Sequence, residues 1–123
     1  MGLVTNVDQI KASLVPCGSY RHNKTGNLYT HYGLVQPTAS LQLEQVSLSF
    51  HAHCCENKDV LVEVYYTPSG LYYVPNHQPL LYENDKPKVL YERNGVFWLR
   101  SVDDFEVLVE LNGQRVPRFQ RVD

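Results

Sequence analysis

Apolar positions along the chain follow two different periods. From Val7 to Leu14 the spacing is helical: Val7, Ile10 and Leu14 share one face at i, i+3 and i+7. Thr5 or Asn6 can cap the free amides, Asp8 favours the first turn, and Pro16 and Gly18 end the helix. Such a short helix must be held by packing on the rest of the fold.

Beyond Gly18 the period becomes two, as in a half-buried strand. Tyr20–Asn23 and Leu28–Tyr32 flank Lys24-Thr25-Gly26-Asn27, a tight-turn composition. Val46, Leu48, Phe50, Ala52 and Cys54 then alternate with Ser47, Ser49, His51, His53 and Cys55. Leu41 and Leu43 are out of phase with that row, so a bulge or break is expected near Glu44-Gln45. Glu56–Asp59 reads as a turn, and Val60, Val62, Val64 and Tyr66 form a further alternating row. Thr67–Gly70 turns the chain back into Leu71–Val74, and Pro75–Pro87 reads as a loop with a short extended piece at Leu80–Tyr82.

The last third is the most explicit. Val89–Arg93 and Val96–Arg100 flank Asn94-Gly95, which suits a type I′ hairpin because both turn residues must take positive φ. That register sets Tyr91 opposite Trp98. Glu106–Leu111 and Gln114–Phe119 repeat the device around Asn112-Gly113, with Glu110 opposite Arg115 and Val109 opposite Val116. Ser101–Phe105, between the hairpins, carries a capping pattern and predicts a single helical turn.

Consecutive hairpins without long helices predict an all-β fold. The expectation is a small, mostly antiparallel, strongly bent barrel, SH3-like or similar, with a short N-terminal helix. The 123 residues fit one domain, 1–123, with a helical segment at 1–15 and insert-like middle hairpins at 36–88.

Composition changes this picture little. Hydrophobic residues are 43% and charged residues 20%, ordinary globular usage. A formal charge of −2 argues against a protein that holds nucleic acid mainly through phosphates. No stretch approaches a membrane span, and the first residues lack the pattern of a signal peptide. Three cysteines, Cys17, Cys54 and Cys55, do not make a disulfide framework, so an intracellular, cytoplasmic setting is expected.

Two blocks resemble a small bacterial and phage domain family of unknown function. Pro16–Tyr29 is similar to its Gly-x-Tyr-Arg-His-x-Lys-Gly opening, and Val89-Leu90-Tyr91 with Phe97–Phe105 to its closing strands, which carry Trp-x-Arg-Pro. Ser101 stands where the family has proline and Asp104 where it has methionine. About a third of the chain is covered, and the fifty or so residues from Gln36 to Lys88 fall between blocks that lie much closer in the family. The resemblance implies a small β fold and that Tyr20–Lys24 neighbours Trp98-x-Arg100.

Candidate chemistry follows from three clusters. Tyr20, Arg21, His22 and Lys24, with Trp98 and Arg100, form a ligand-binding set: Arg offers a planar fork, Lys a point charge, and an aromatic beside Arg a platform for an anion or base. Against this, Arg21 pairing with Asp103 or Asp104 would merely tie the first hairpin to the last. His51, His53 and Cys55 project from one strand face and would suit zinc or copper, given a fourth ligand from His22, His31, His77 or Cys17. The blander reading is a polar surface face. Tyr65, Tyr66, Tyr72, Tyr73, Tyr82 and Tyr91 could stack bases, although without interleaved cations they read better as core edge. Arg115, Arg118 and Arg121 read as a charged edge keeping a final strand unpaired, with docking on an acidic partner or RNA as the sharper alternative. There is no nucleophile elbow, phosphate-binding glycine loop or zinc helix. The expected function is a binding or interaction module, leaning away from an enzyme, with protein as partner; the alternatives are a metal-binding domain or metal-dependent enzyme using His51, His53 and Cys55, and RNA or nucleotide binding through Arg21, Lys24, Arg100 and the aromatic faces.

Overall fold

The computed structural model describes residues 7–39, 42–55, 60–74 and 86–122. The helix α1 runs Val7–Ser13. The strands are β1 Gly18–His22, β2 Leu28–Pro37, β3 Leu48–Cys54, β4 Leu61–Thr67, β5 Gly70–Tyr73, β6 Lys88–Arg93 and β7 Val96–Ser101. A helical turn, α2, follows at Val102–Phe105, then β8 Leu108–Leu111, β9 Gln114–Pro117 and β10 Phe119–Arg121.

Six strands close a barrel in the order β2-β5-β4-β3-β7-β6, with β6 returning to β2. The all-β barrel expected from the hairpins is present. Most pairings are antiparallel, but two seams are parallel: β2 with β5, where Val35 faces Leu71, and β3 with β7, where His53 faces Trp98. The middle of the sequence, which reads as insert-like, supplies β3, β4 and β5, half of the barrel wall. Outside the barrel, β1 extends β2 and β10 extends β1.

Alternation along each strand fills the interior. Leu48, Phe50, Ala52 and Cys54 of β3 meet Val62 and Val64 of β4, Leu71 and Tyr73 of β5, and Phe97 and Leu99 of β7. Ile10 and Leu14 of α1 join the same cluster, and this holds a helix too short to stand alone. Each fully buried large aliphatic contributes about 1.5–3 kcal/mol relative to exposure. The phase break before β3 is a 3₁₀ turn at Leu43–Gln45. Leu41, the turn at Glu56–Asp59, the Leu80–Tyr82 piece, and Thr5 and Asn6 as caps lie outside the described residues.

Both Asn-Gly turns have the expected geometry. Asn94 and Gly95 sit at φ 54° and 83°, Asn112 and Gly113 at 54° and 79°. Tyr91 faces Trp98, Glu110 faces Arg115, and Val109 faces Val116. Ser101 caps α2, its hydroxyl accepting a hydrogen bond from the Asp104 amide at 3.3 Å.

The second hairpin departs from expectation at its end. It stands apart as a two-stranded sheet of β8 and β9, and Phe119 leaves it to open β10, paired with β1 through His22. The final strand is therefore paired with β1 on one side, and its other side is the outer edge of the eight-stranded sheet. Burial of the Phe119 ring is the physical reason: it stacks on Phe105 at 4.3 Å and 4° and is closed over by His22, Tyr29 and Tyr91.

Candidate functional site

Strand alternation leaves Val89 and Tyr91 of β6, and Trp98 and Arg100 of β7, on the outer face of the barrel. There a second apolar cluster forms from Val89, Tyr91, Phe105 and Phe119, edged by Tyr20, Tyr29, Cys55, Trp98 and Val102. The ladder of β1 and β10 brings the start and end of the chain over this face, and α2 brings Phe105 and Asp104. Tyr20 meets Phe105 at 5.6 Å and His31 at 5.1 Å between centroids.

The parallel seam carries the His-Cys cluster onto the same face. The His53 ring lies 5.0 Å from Trp98, and Cys55 Sγ lies 2.6 Å from Tyr91 Oη. Arg100 Nε donates to the same Tyr91 oxygen at 3.2 Å, and its guanidinium lies 5.7 Å above the Phe119 ring, which His22 meets at 5.0 Å on its edge. Two runs of contacts, His53–Trp98 and Cys55–Tyr91–Arg100–Phe119–His22, lie side by side through the cross-strand pair of Trp98 and Tyr91, and bring together groups that read in the sequence as two separate sites.

Charge on this face is organised around one carboxylate. Arg100 and Arg118 both donate to Asp104, Arg118 at 2.8 Å, and Arg118 also reaches the Asp104 carbonyl at 3.1 Å. Partial burial works against the Asp104 carboxylate, yet the hydrogen bonds and charge of the two arginines outweigh it and hold its pKa below the usual value. Two cations on one anion leave an excess of positive charge. His22 registers it: burial first, then Arg100, Arg118 and Lys24, push its pKa down, and its buried Nδ1 has no hydrogen-bond partner among the described residues. Burial and then Cys55 push the Tyr91 hydroxyl well up, so it stays protonated while accepting from Arg100.

Of the six residues expected to bind a ligand, Tyr20, His22, Trp98 and Arg100 border this cluster. Arg21 is exposed beside it and donates to Asn23 Oδ1 at 3.1 Å and Gln120 Oε1 at 3.4 Å. Lys24 is exposed in the β1–β2 turn. Arg21 does not take Asp103 or Asp104. The first hairpin is tied to the last strands by Asn23, whose side chain donates to the Pro117 carbonyl at 2.7 Å and whose amide reaches the Arg118 carbonyl at 2.9 Å.

The metal candidates spread out along their strand face. His51 is exposed, His53 lies on Trp98 and Cys55 on Tyr91. Among the described residues no three His, Cys, Asp or Glu side chains are grouped to hold a metal ion. Asp104, Arg118, Phe105 and Phe119 belong to the site and were not legible as such; an Asp and an Arg fourteen positions apart give no local signal. Of the tyrosines, Tyr73 and Tyr91 are core, and Tyr65, Tyr66 and Tyr72 are half-buried. Tyr82 lies outside the described residues.

No family model, curated protein or solved structure matches this chain. None of the described helices is long and apolar enough to cross a membrane.

Proposed function

We propose that this protein is a non-enzymatic binding module that works in a reducing, intracellular compartment and holds an acidic segment of a partner protein against the corner formed by β1, the β1–β2 turn and β7. The observation that carries this reading is the convergence of Arg100 and Arg118 on the single carboxylate of Asp104. It leaves positive charge on an aromatic floor, with Arg21 and Lys24 exposed at its rim. Carboxylates of a partner gain charge-assisted hydrogen bonds there. The net charge of −2 makes this a local contact.

A second reading, RNA or nucleotide binding, is favoured by the Trp98 and His53 rings beside Arg100, which offer a stacking surface for a base.

Trp98 is the sole tryptophan and reports directly. Its emission is followed while the protein is titrated with polyglutamate and, separately, with a short single-stranded RNA, at low and high salt. The proposal expects a saturable change with polyglutamate that weakens with salt and is lost when Arg21 and Lys24 are both replaced by Glu. A response to RNA alone transfers the assignment to the second reading. Silence with both at low salt overturns both.

A further inference from the structure

A concavity beside α1 carries a separate inference. It is an open depression of about 520 Å³ between α1, the β1–β2 turn and the β6–β7 turn, lined by Lys11, Asn27, Thr30, Glu92, Arg93 and Asn94, among others. Its floor is a carboxylate. Glu92 is only 3% exposed, and both of its donors, the Gly95 amide at 2.8 Å and Lys11 Nζ at 3.4 Å, converge on Oε2. Oε1 takes no hydrogen bond from any described residue and is not among the sealed, unsatisfied atoms, and Glu92 lines the concavity. On the rim, half-buried Arg93 has no side-chain ion pair among the described residues. An unclaimed carboxylate oxygen and an unclaimed guanidinium thus border one space.

No ion pair joins them: among the described residues the ion-pair partner of Glu92 is Lys11. A simple cation attracted to Glu92 meets Lys11 and Arg93 at the mouth, and a simple anion meets Glu92 beneath them. A ligand carrying both charges a short distance apart satisfies the three groups together. We propose that this concavity binds the zwitterionic head of a free α-amino acid, its ammonium on Glu92 Oε1 and its carboxylate on Arg93 and Lys11. The volume lies in the range of small-molecule sites. Leu28, 58% exposed in the lining, offers an apolar surface to the ligand's side chain.

The Gly95 amide reports on Glu92 through their hydrogen bond. The ¹⁵N–¹H spectrum of the full chain is followed with each of the common α-amino acids, and with methylamine and acetate as half-ligands. The expected result is a saturable Gly95 shift with at least one amino acid, stronger than with either half-ligand, and weakened about tenfold or more by Arg93→Ala. Arg93 is half-exposed, so this variant keeps the fold where Glu92→Gln would disturb a buried carboxylate that holds the turn. Arg115→Ala, at an exposed position of the separate β8–β9 hairpin, leaves the shift unchanged. A Gly95 amide unmoved by every amino acid overturns the proposal. So does methylamine or acetate alone binding as tightly as the amino acid, or an Arg93→Ala protein that binds equally well.

Discussion

Cys55 Sγ and Tyr91 Oη lie 2.6 Å apart on either side of β7, and Arg100 Nε approaches the same Tyr91 oxygen at 3.2 Å. Tyr91 is 2% exposed, so its hydroxyl is a buried hinge between a thiol and a guanidinium. Tyr91→Phe keeps the ring among Tyr29, Phe105 and Phe119 but leaves both neighbours without that oxygen. The expected cost is about 1–3 kcal/mol, the range for stranding a buried polar group, read from urea unfolding. A loss as large as that of Tyr91→Ala would mean the ring has also moved.

The three thiols differ in access. Cys17 is exposed, Cys55 half-buried and Cys54 buried at 1%, and none is in a disulfide. A chromogenic disulfide reagent should modify Cys17 first, Cys55 more slowly, and Cys54 only once the protein unfolds. Tyr91→Phe should change the second phase and leave the first alone. Mass spectrometry of the labelled peptides assigns the phases.

Acid should weaken the fold in two stages. Burial and then positive neighbours lower the pKa of His22 and His31 below the ordinary 6.5, so the folded state favours the neutral rings. Their contribution is complete above the unfolded value and fades as pH falls from about 6.5 through the lowered folded values. For His31 the cause is local too: its Nδ1 accepts the Gly33 amide at 3.0 Å, which a protonated ring cannot do. Melting temperatures should therefore decline between pH 7 and pH 5, and His31→Gln should flatten that decline.

Asp104 defines the second, lower window. Its pKa is depressed, so its stabilisation is present above the unfolded carboxyl value and is lost as pH falls through the folded one. Because the carboxylate is 35% exposed, solvent screening limits its worth. Asp104→Ala should cost about 1 kcal/mol at neutral pH. The same variant frees Arg100 and Arg118 from their shared partner, and binding of polyglutamate should tighten.

Gly95 holds φ at 83°, where an L side chain is strained. An added Cβ would lie 3.7 Å from Val7 Cγ1, an ordinary contact, so the cost of Gly95→Ala is the backbone's alone. About 1 kcal/mol is expected by denaturant titration. A much larger loss would point instead to the Gly95 amide's bond to Glu92.

What could be read from the sequence was whatever pairs locally. Asn94-Gly95 and Asn112-Gly113 specify hairpins within a dozen residues, and the β3 alternation separates Phe50 and Ala52 from His51 and His53 without reference to any partner. The parallel seams could not be read, because Val35 meets Leu71 and His53 meets Trp98 only after the chain has crossed the barrel. Phe119 misled for a related reason: as a continuation of β9 it has a sensible register, and only the distant Phe105 and His22 give it a better place. The binding face was half legible. Tyr20, His22, Trp98 and Arg100 stood out by type, but Asp104 and Arg118, which set its charge, are ordinary surface letters until the fold brings them together.

β2 touches three other strands: β1 along its first half, β6 through its middle past the irregularity at Gly33, and β5 at its end. Its amides can therefore reach solvent deuterium only when the whole wall gives way, and their exchange rates should report the global unfolding free energy. The β8–β9 hairpin belongs to a separate sheet and is bounded by its own turn. Its amides should exchange orders of magnitude sooner, which would make this hairpin the part of the molecule that breathes while the barrel stays shut.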